Sequence, residues 1–119
     1  QLFVLDHIGK PMIQEGFETP WRENIRELAE RDNVYCKLSG IVTEADYENW
    51  TESQIKPFME IVVDAFWPER VMFGSDWPVC TVAAEYKEWL DIVLGYLDSF
   101  SEYEQKRVLS GTACEVYQL

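Results

Sequence analysis

Positive charge is scarce in this chain: 10 lysines and arginines stand against 22 aspartates and glutamates, a formal net charge of −12. Such a balance repels a phosphate backbone and an anionic membrane surface, so neither nucleic acid nor membrane is an expected partner. The acidic excess is spread through segments 85–91 and 102–107, as on a solvated outer face. Cysteine is equally sparse. Cys36, Cys80 and Cys114 are odd in number, widely spaced and without a CxxC pair, which argues against a disulfide framework or a zinc-thiolate site and suits a reducing cytoplasm. No apolar run approaches the roughly 20 residues of a membrane helix, and no signal peptide is visible. Hairpin signals, internal repeats and low-complexity tracts are missing as well. The chain opens at Gln1 inside what reads as a strand, so the natural N-terminus is expected upstream.

What the chain has is core material: 119 residues, 47% hydrophobic and 14% aromatic, suffice for one compact unit. Its apolar runs are short, and they end in polar residues. Phe3 to Ile8 reads as a buried strand interrupted by Asp6 and His7 and closed by Gly9-Lys10-Pro11. Thr19 and Pro20 suit an N-cap and first helical position, and Ile25, Leu28 and Ala29 then recur at helical spacing until Asp32-Asn33. Val34 to Leu38 predicts a second strand, with Tyr35, Lys37 and Ser39 on one face by alternation. Thr51 with Gln54 forms a capping box for a helix through Phe66, tightened or kinked early by Pro57. Val71 to Phe73 predicts the third strand. An amphipathic stretch from Ala83 to about Phe100 follows, then a last helix opened by a Ser101 and Glu104 capping box and ended or bent by Gly111.

Strand and helix alternate, which predicts right-handed parallel βαβ units. Three parallel strands leave two open edges, and a closed barrel of parallel strands needs about 250 residues, so the sequence reads as part of a larger α/β structure. In such architectures ligands bind at the C-terminal ends of strands. The ends here present His7, then Lys37 with Ser39, then Asp76 within VMFGSDWPV (Val71 to Val79), on strands only about 4.8 Å apart. An imidazole and a carboxylate brought together in this way can hold a divalent metal, or serve as acid and base in hydrolysis. A structural reading stands beside each: Asp76 as a turn cap, His7 as a hydrogen-bonded structural side chain, Asp6 as an acceptor for backbone donors.

The segments VLDHIGKP (Val4 to Pro11), NVYCKLSG (Asn33 to Gly40) and RVMFGSDWPV (Arg70 to Val79), in this order and spacing, resemble the last three barrel strands of the amidohydrolase superfamily. The nearest branch is that of amidohydrolase-related sugar-lactone hydrolases, of the L-fuconolactonase and L-rhamnonolactonase type. The likeness covers nearly the whole chain, and GSDWP is its most specific part. It implies an α/β fold in which residues 1–119 are a single partial domain: about three βα units, strands 6 to 8, at the C-terminal end of a TIM-type (β/α)8 barrel. It implies that Asp76 binds metal or activates the hydrolytic water and that His7 is a metal ligand or substrate contact. A divalent metal, zinc foremost, is the implied cofactor, although dependence on metal varies across the branch. Lys37 falls in the pocket on this reading, or neutralises Asp76; Trp77 floors a sugar pocket, or packs in the core. Two features depart from the family. Its early HxH pair is absent, since His7 is the only histidine, and Gly111-Thr112-Ala113 and Glu115 stand where a GNA-like helix start and a later arginine are usual.

The expected function is that of a cytoplasmic hydrolase that opens a sugar lactone or related cyclic ester, with Asp76 activating water. On this reading the isolated chain is inactive, the partner is a small sugar-lactone-like molecule, and open sheet edges allow association, including a homo-oligomer. Two other readings stand beside it. One is a metal-dependent decarboxylase on the same barrel. The other is a non-catalytic fragment or interaction module whose strand edges and tryptophans, Trp21, Trp50, Trp67, Trp77 and Trp89, meet a partner.

Overall fold

Three short strands, Phe3–Leu5 (β1), Val34–Leu38 (β2) and Val71–Phe73 (β3), pair in parallel in the order β1-β2-β3, in a computed structural model that describes residues 1–16 and 18–119. Leu5 lies opposite Cys36, and Phe73 lies opposite Leu38. The connections are helical: Trp21–Ala29 (α1) after β1, Glu52–Phe66 (α2) after β2, and Tyr86–Leu97 (α3), Glu102–Lys106 (α4) and Thr112–Tyr117 (α5) after β3. The strand-helix alternation expected from the sequence is present, and among the described residues every strand pairing is parallel.

Alternation along β2 decides where the core lies. Val34, Cys36 and Leu38 are buried in one cluster with Ile25 of α1, Ile55, Met59, Val62 and Phe66 of α2, and Trp89 and Val93 of α3. Full burial of side chains of this size stabilises by about 1.5–3 kcal/mol each and anchors β2 together with Val71 and Met72 of β3, whereas β1 has no fully buried residue and is held by its pairing with β2. The opposite face carries Tyr35, Lys37 and Ser39. Tyr35 is also buried, and its hydroxyl donates to Glu115 Oε1 at 3.4 Å.

The sheet is clamped at the end where its strands begin. The Arg70 guanidinium donates to the carbonyls of Ala29 (2.8 Å), Arg31 and Val34 (both 3.0 Å) and sits 5.4 Å from the centre of the Phe66 ring. One planar fork thus joins the end of α1, the start of β2 and the start of β3. Arg107 does similar work, donating to the Glu69 carbonyl and pairing with Glu115, both at 2.8 Å.

Several local expectations are corrected. The first strand stops at Leu5 rather than Ile8. Pro20, not Thr19, occupies the N-cap of α1, and no side chain caps that helix. Pro57 leaves α2 unbroken, at the cost of one hydrogen bond to the exposed first turn. Gly111 does not end the last helix: with a helical φ of −60°, it joins α5 to a π-helical turn, Arg107–Gly111, that follows α4 directly. The tryptophans are mostly internal. Trp89 is fully buried, Trp21 and Trp50 are half-buried, and all three indoles donate to backbone carbonyls; only Trp67 and Trp77 are exposed. Among the described residues no helix is long and apolar enough to cross a membrane.

Trp67 itself carries a backbone cost. At φ 60° and ψ 157° it occupies a region that glycine tolerates and other residues do not, while its side chain is 67% exposed and packs little. Trp67→Gly is therefore expected to raise unfolding free energy by about 1 kcal/mol, as read by denaturant unfolding. A loss of stability would mean that the indole, not the backbone, matters there.

Candidate active site

β1 delivers its polar residues by an abrupt change of hand. His7, Ile8, Gly9 and Lys10 all adopt left-handed conformations, with φ of 50°, 48°, 74° and 50°. A run of non-glycine residues in this region is strained and persists only where its surroundings enforce it. Here Ile8 is fully buried, its carbonyl accepts from the Trp21 indole at 2.7 Å, and the His7 carbonyl accepts from the Lys10 amide at 2.9 Å. The turn swings the His7 ring across the end of β2.

The β3 end uses the same device. Asp76 has a φ of 55°, its carbonyl accepts from the Cys80 amide at 2.8 Å, and the Trp89 indole fixes the Gly74 carbonyl at 2.9 Å. Its carboxylate makes no hydrogen bond to a backbone amide among the described residues, which removes the turn-cap reading. Instead Asp76 Oδ1 lies 3.7 Å from His7 Nε2.

Around this pair, Ser39 Oγ is 2.8 Å from His7 Nδ1, and Asp6 Oδ2 is 3.4 Å from Nε2. Lys37 Nζ lies 3.2 Å from Asp6 Oδ1. Two expectations are corrected here. Asp6 engages Lys37 and His7 rather than backbone donors, and Lys37 is paired with Asp6 rather than neutralising Asp76. Trp77, next to Asp76 in sequence, is 64% exposed and lies outside the hydrophobic core. The structure thus brings His7, Lys37, Ser39 and Asp76 to one end of the sheet, with Asp6 beside them. The signal for Ser39 was its place on the Lys37 face; for Asp6 it was adjacency to His7.

Burial and neighbouring charge act on the two thiols and on Lys37 in different ways. Burial pushes the Cys36 thiol up to about 12, and burial followed by the charge of Asp76 raises that of Cys80, so neither is a ready thiolate. Burial alone would lower Lys37, but the hydrogen bond and charge of Asp6, with a contribution from Tyr117, leave it above its ordinary value. His7 and Asp76 are donor types that zinc accepts, yet among the described residues no three such groups converge on one point. The described residues therefore hold no complete metal shell.

Comparison with known proteins gives a consistent result. Residues 2–119 match the profile of the family described as Amidohydrolase. An L-fucono-1,5-lactonase of Burkholderia multivorans is 42% identical over 126 residues, covering 98% of this chain and 43% of that protein. One from Burkholderia ambifaria is 37% identical, covering 98% and 41%. The crystal structure of an amidohydrolase from Burkholderia multivorans with bound zinc superposes with a TM-score of 0.94 at 43% identity, covering 100% of this chain and 44% of that one. The chain spans less than half the length of these relatives.

The Asp6–Lys37 pair predicts a pH effect. A lysine raised in the folded state contributes stability that is fully present below its ordinary value of 10.5 and is lost as pH rises through the folded value. Both partners are substantially solvated, so the effect is below about 1 kcal/mol. Asp6→Asn is expected to lower the Lys37 titration midpoint, followed by the NMR shift of its Cε. A midpoint that stays where it was would show that Asp6 is not the cause.

Proposed function

Because the chain belongs to the amidohydrolase family, we propose that it forms the C-terminal part of a (β/α)8 barrel enzyme that hydrolyses a sugar lactone or related cyclic ester. The L-fucono-1,5-lactonases that match nearly all of the chain support the substrate class. The single observation that carries the chemistry is the approach of Asp76 Oδ1 to within 3.7 Å of His7 Nε2 at the C-terminal ends of β3 and β1, the parallel strands on either side of β2.

In this reading Asp76, only 13% exposed, takes a proton from a water molecule as that water attacks the lactone carbonyl. The carbonyl π electrons move to oxygen, and a cation or N–H donor offsets the developing charge; His7 Nε2 and Lys37 Nζ are the groups at hand. When the tetrahedral adduct collapses, the ring C–O bond breaks and the proton held by Asp76 passes to the departing alkoxide. The product is a hydroxy acid. Its carboxylate is drawn to the Lys37 side, since the chain's net charge of −12 offers it no general attraction. Trp77, exposed next to Asp76, offers an apolar face for the sugar ring.

A bound divalent metal, zinc being the one found in the Burkholderia multivorans neighbour, would be held by His7 and Asp76 together with ligands from outside this chain. Such an ion supplies Lewis acidity toward a carbonyl and acidifies a bound water. With only part of the barrel and at most two ligands, the 119-residue chain by itself is expected to be inactive.

Asp76→Asn in the complete protein is the direct test. It is expected to lower kcat for lactone hydrolysis by at least about a hundredfold, with the fold retained, when acid release is followed in weakly buffered solution. Normal turnover in a folded Asp76→Asn variant would remove Asp76 from the mechanism.

A further inference from the structure

Ser39 has so far been only a neighbour of His7, but the packing around it is unusually specific. It is 2% exposed and lies 2.8 Å from Nδ1, whereas the Nε2 edge of the ring faces Asp6 and Asp76. Two glycines clear room for the pair. A Cβ on Gly40 would stand 2.8 Å from His7 Cβ, Cγ and Nδ1, and one on Gly74 would stand 2.8 Å from Ser39 Cβ and 3.3 Å from its Oγ. The imidazole therefore rests against the Gly40 backbone, and the hydroxyl is pressed against the ring edge by Gly74. Among the described residues His7 is the only side chain that Ser39 bonds.

We propose that Ser39 is a positioning residue for His7: its hydroxyl donates to Nδ1 and thereby keeps the proton of the neutral ring on Nε2, directed at Asp76 and the open end of the sheet. The chemistry of the two edges sets this direction. A neutral imidazole has one N–H donor and one bare nitrogen acceptor. With carboxylates on the Nε2 side and a hydroxyl on the Nδ1 side, placing the proton on Nε2 satisfies both edges, while placing it on Nδ1 points a bare nitrogen at two anions. A backbone carbonyl in the position of Ser39 could only accept and would force the opposite tautomer. The hydroxyl can also accept, so Nδ1 keeps a partner if Nε2 gives its lone pair to a metal. The catalytic meaning rests on the proposed lactone hydrolysis, in which Nε2–H is the donor that meets the developing oxyanion.

The test is a ¹⁵N-histidine spectrum of the complete protein with a metal chelator present, at about two pH units above the ordinary histidine value of about 6.5. His7→Asn serves only to assign the His7 signals. The expected result is the Nε2–H tautomer, with Nδ1 at the shift of a hydrogen-bonded acceptor. In Ser39→Ala the Nδ1 resonance is expected to move toward that of a free acceptor, with kcat lowered on the order of tenfold and KM little changed. A proton on Nδ1 in the unmodified protein, or an Nδ1 resonance unmoved by Ser39→Ala, would overturn the proposal. Absence of lactone hydrolysis in the unmodified protein would instead count against the functional reading, with the spectrum still deciding the role of Ser39.

Discussion

Everything at the candidate site depends on the parallel pairing of β2 with a neighbour on each side. Leu5 opposite Cys36 and Phe73 opposite Leu38 bring both outer strands to an end beside the last residues of β2. Because parallel strands share a direction, their chemical ends coincide, and residues 69 positions apart in sequence, His7 and Asp76, meet without any direct local signal. A register slip of one residue would reverse the faces of β2, sending Lys37 and Ser39 into the helices and Cys36 toward the site. The buried contacts of Val34, Cys36 and Leu38 oppose that slip, and the Arg70 fork holds the far end of the sheet in step.

Strain is concentrated where the chemistry is expected. His7 and Asp76 both occupy left-handed backbone, and each is restrained by an indole hydrogen bond nearby, from Trp21 to Ile8 and from Trp89 to Gly74. These tryptophans belong to helices behind the sheet. Helix packing and site geometry are therefore joined by single hydrogen bonds of 2.7 and 2.9 Å, and the two acidic and imidazole groups are held in place before any substrate arrives.

Much of this was legible in the residues. Val34–Leu38 and Val71–Phe73 were readable as strands because buried parallel strands are apolar runs closed by small and polar residues. The Ser101–Glu104 capping box was readable because both of its hydrogen bonds are local, at 3.0 and 3.1 Å. What escaped depends on distant partners. The left-handed turn at His7 has no glycine at its first two positions, and it exists because Ile8 is buried and accepts from an indole 13 residues away. The Ser39 bond to a ring 32 residues away follows from that turn. Lys37 chose Asp6 over Asp76 for the same reason, since the turn, not strand alternation, decides where Asp6 points.

The most direct test of the central claim, that these three strand ends form one hydrolytic site, is a crystal structure of the complete protein with its sugar-acid product bound. The account predicts the product carboxylate within about 3 Å of His7 Nε2 or Lys37 Nζ and its ring against Trp77. A product seated elsewhere, for example in the groove between Trp50 and α3, with the space between His7 and Asp76 filled only by solvent, would contradict it.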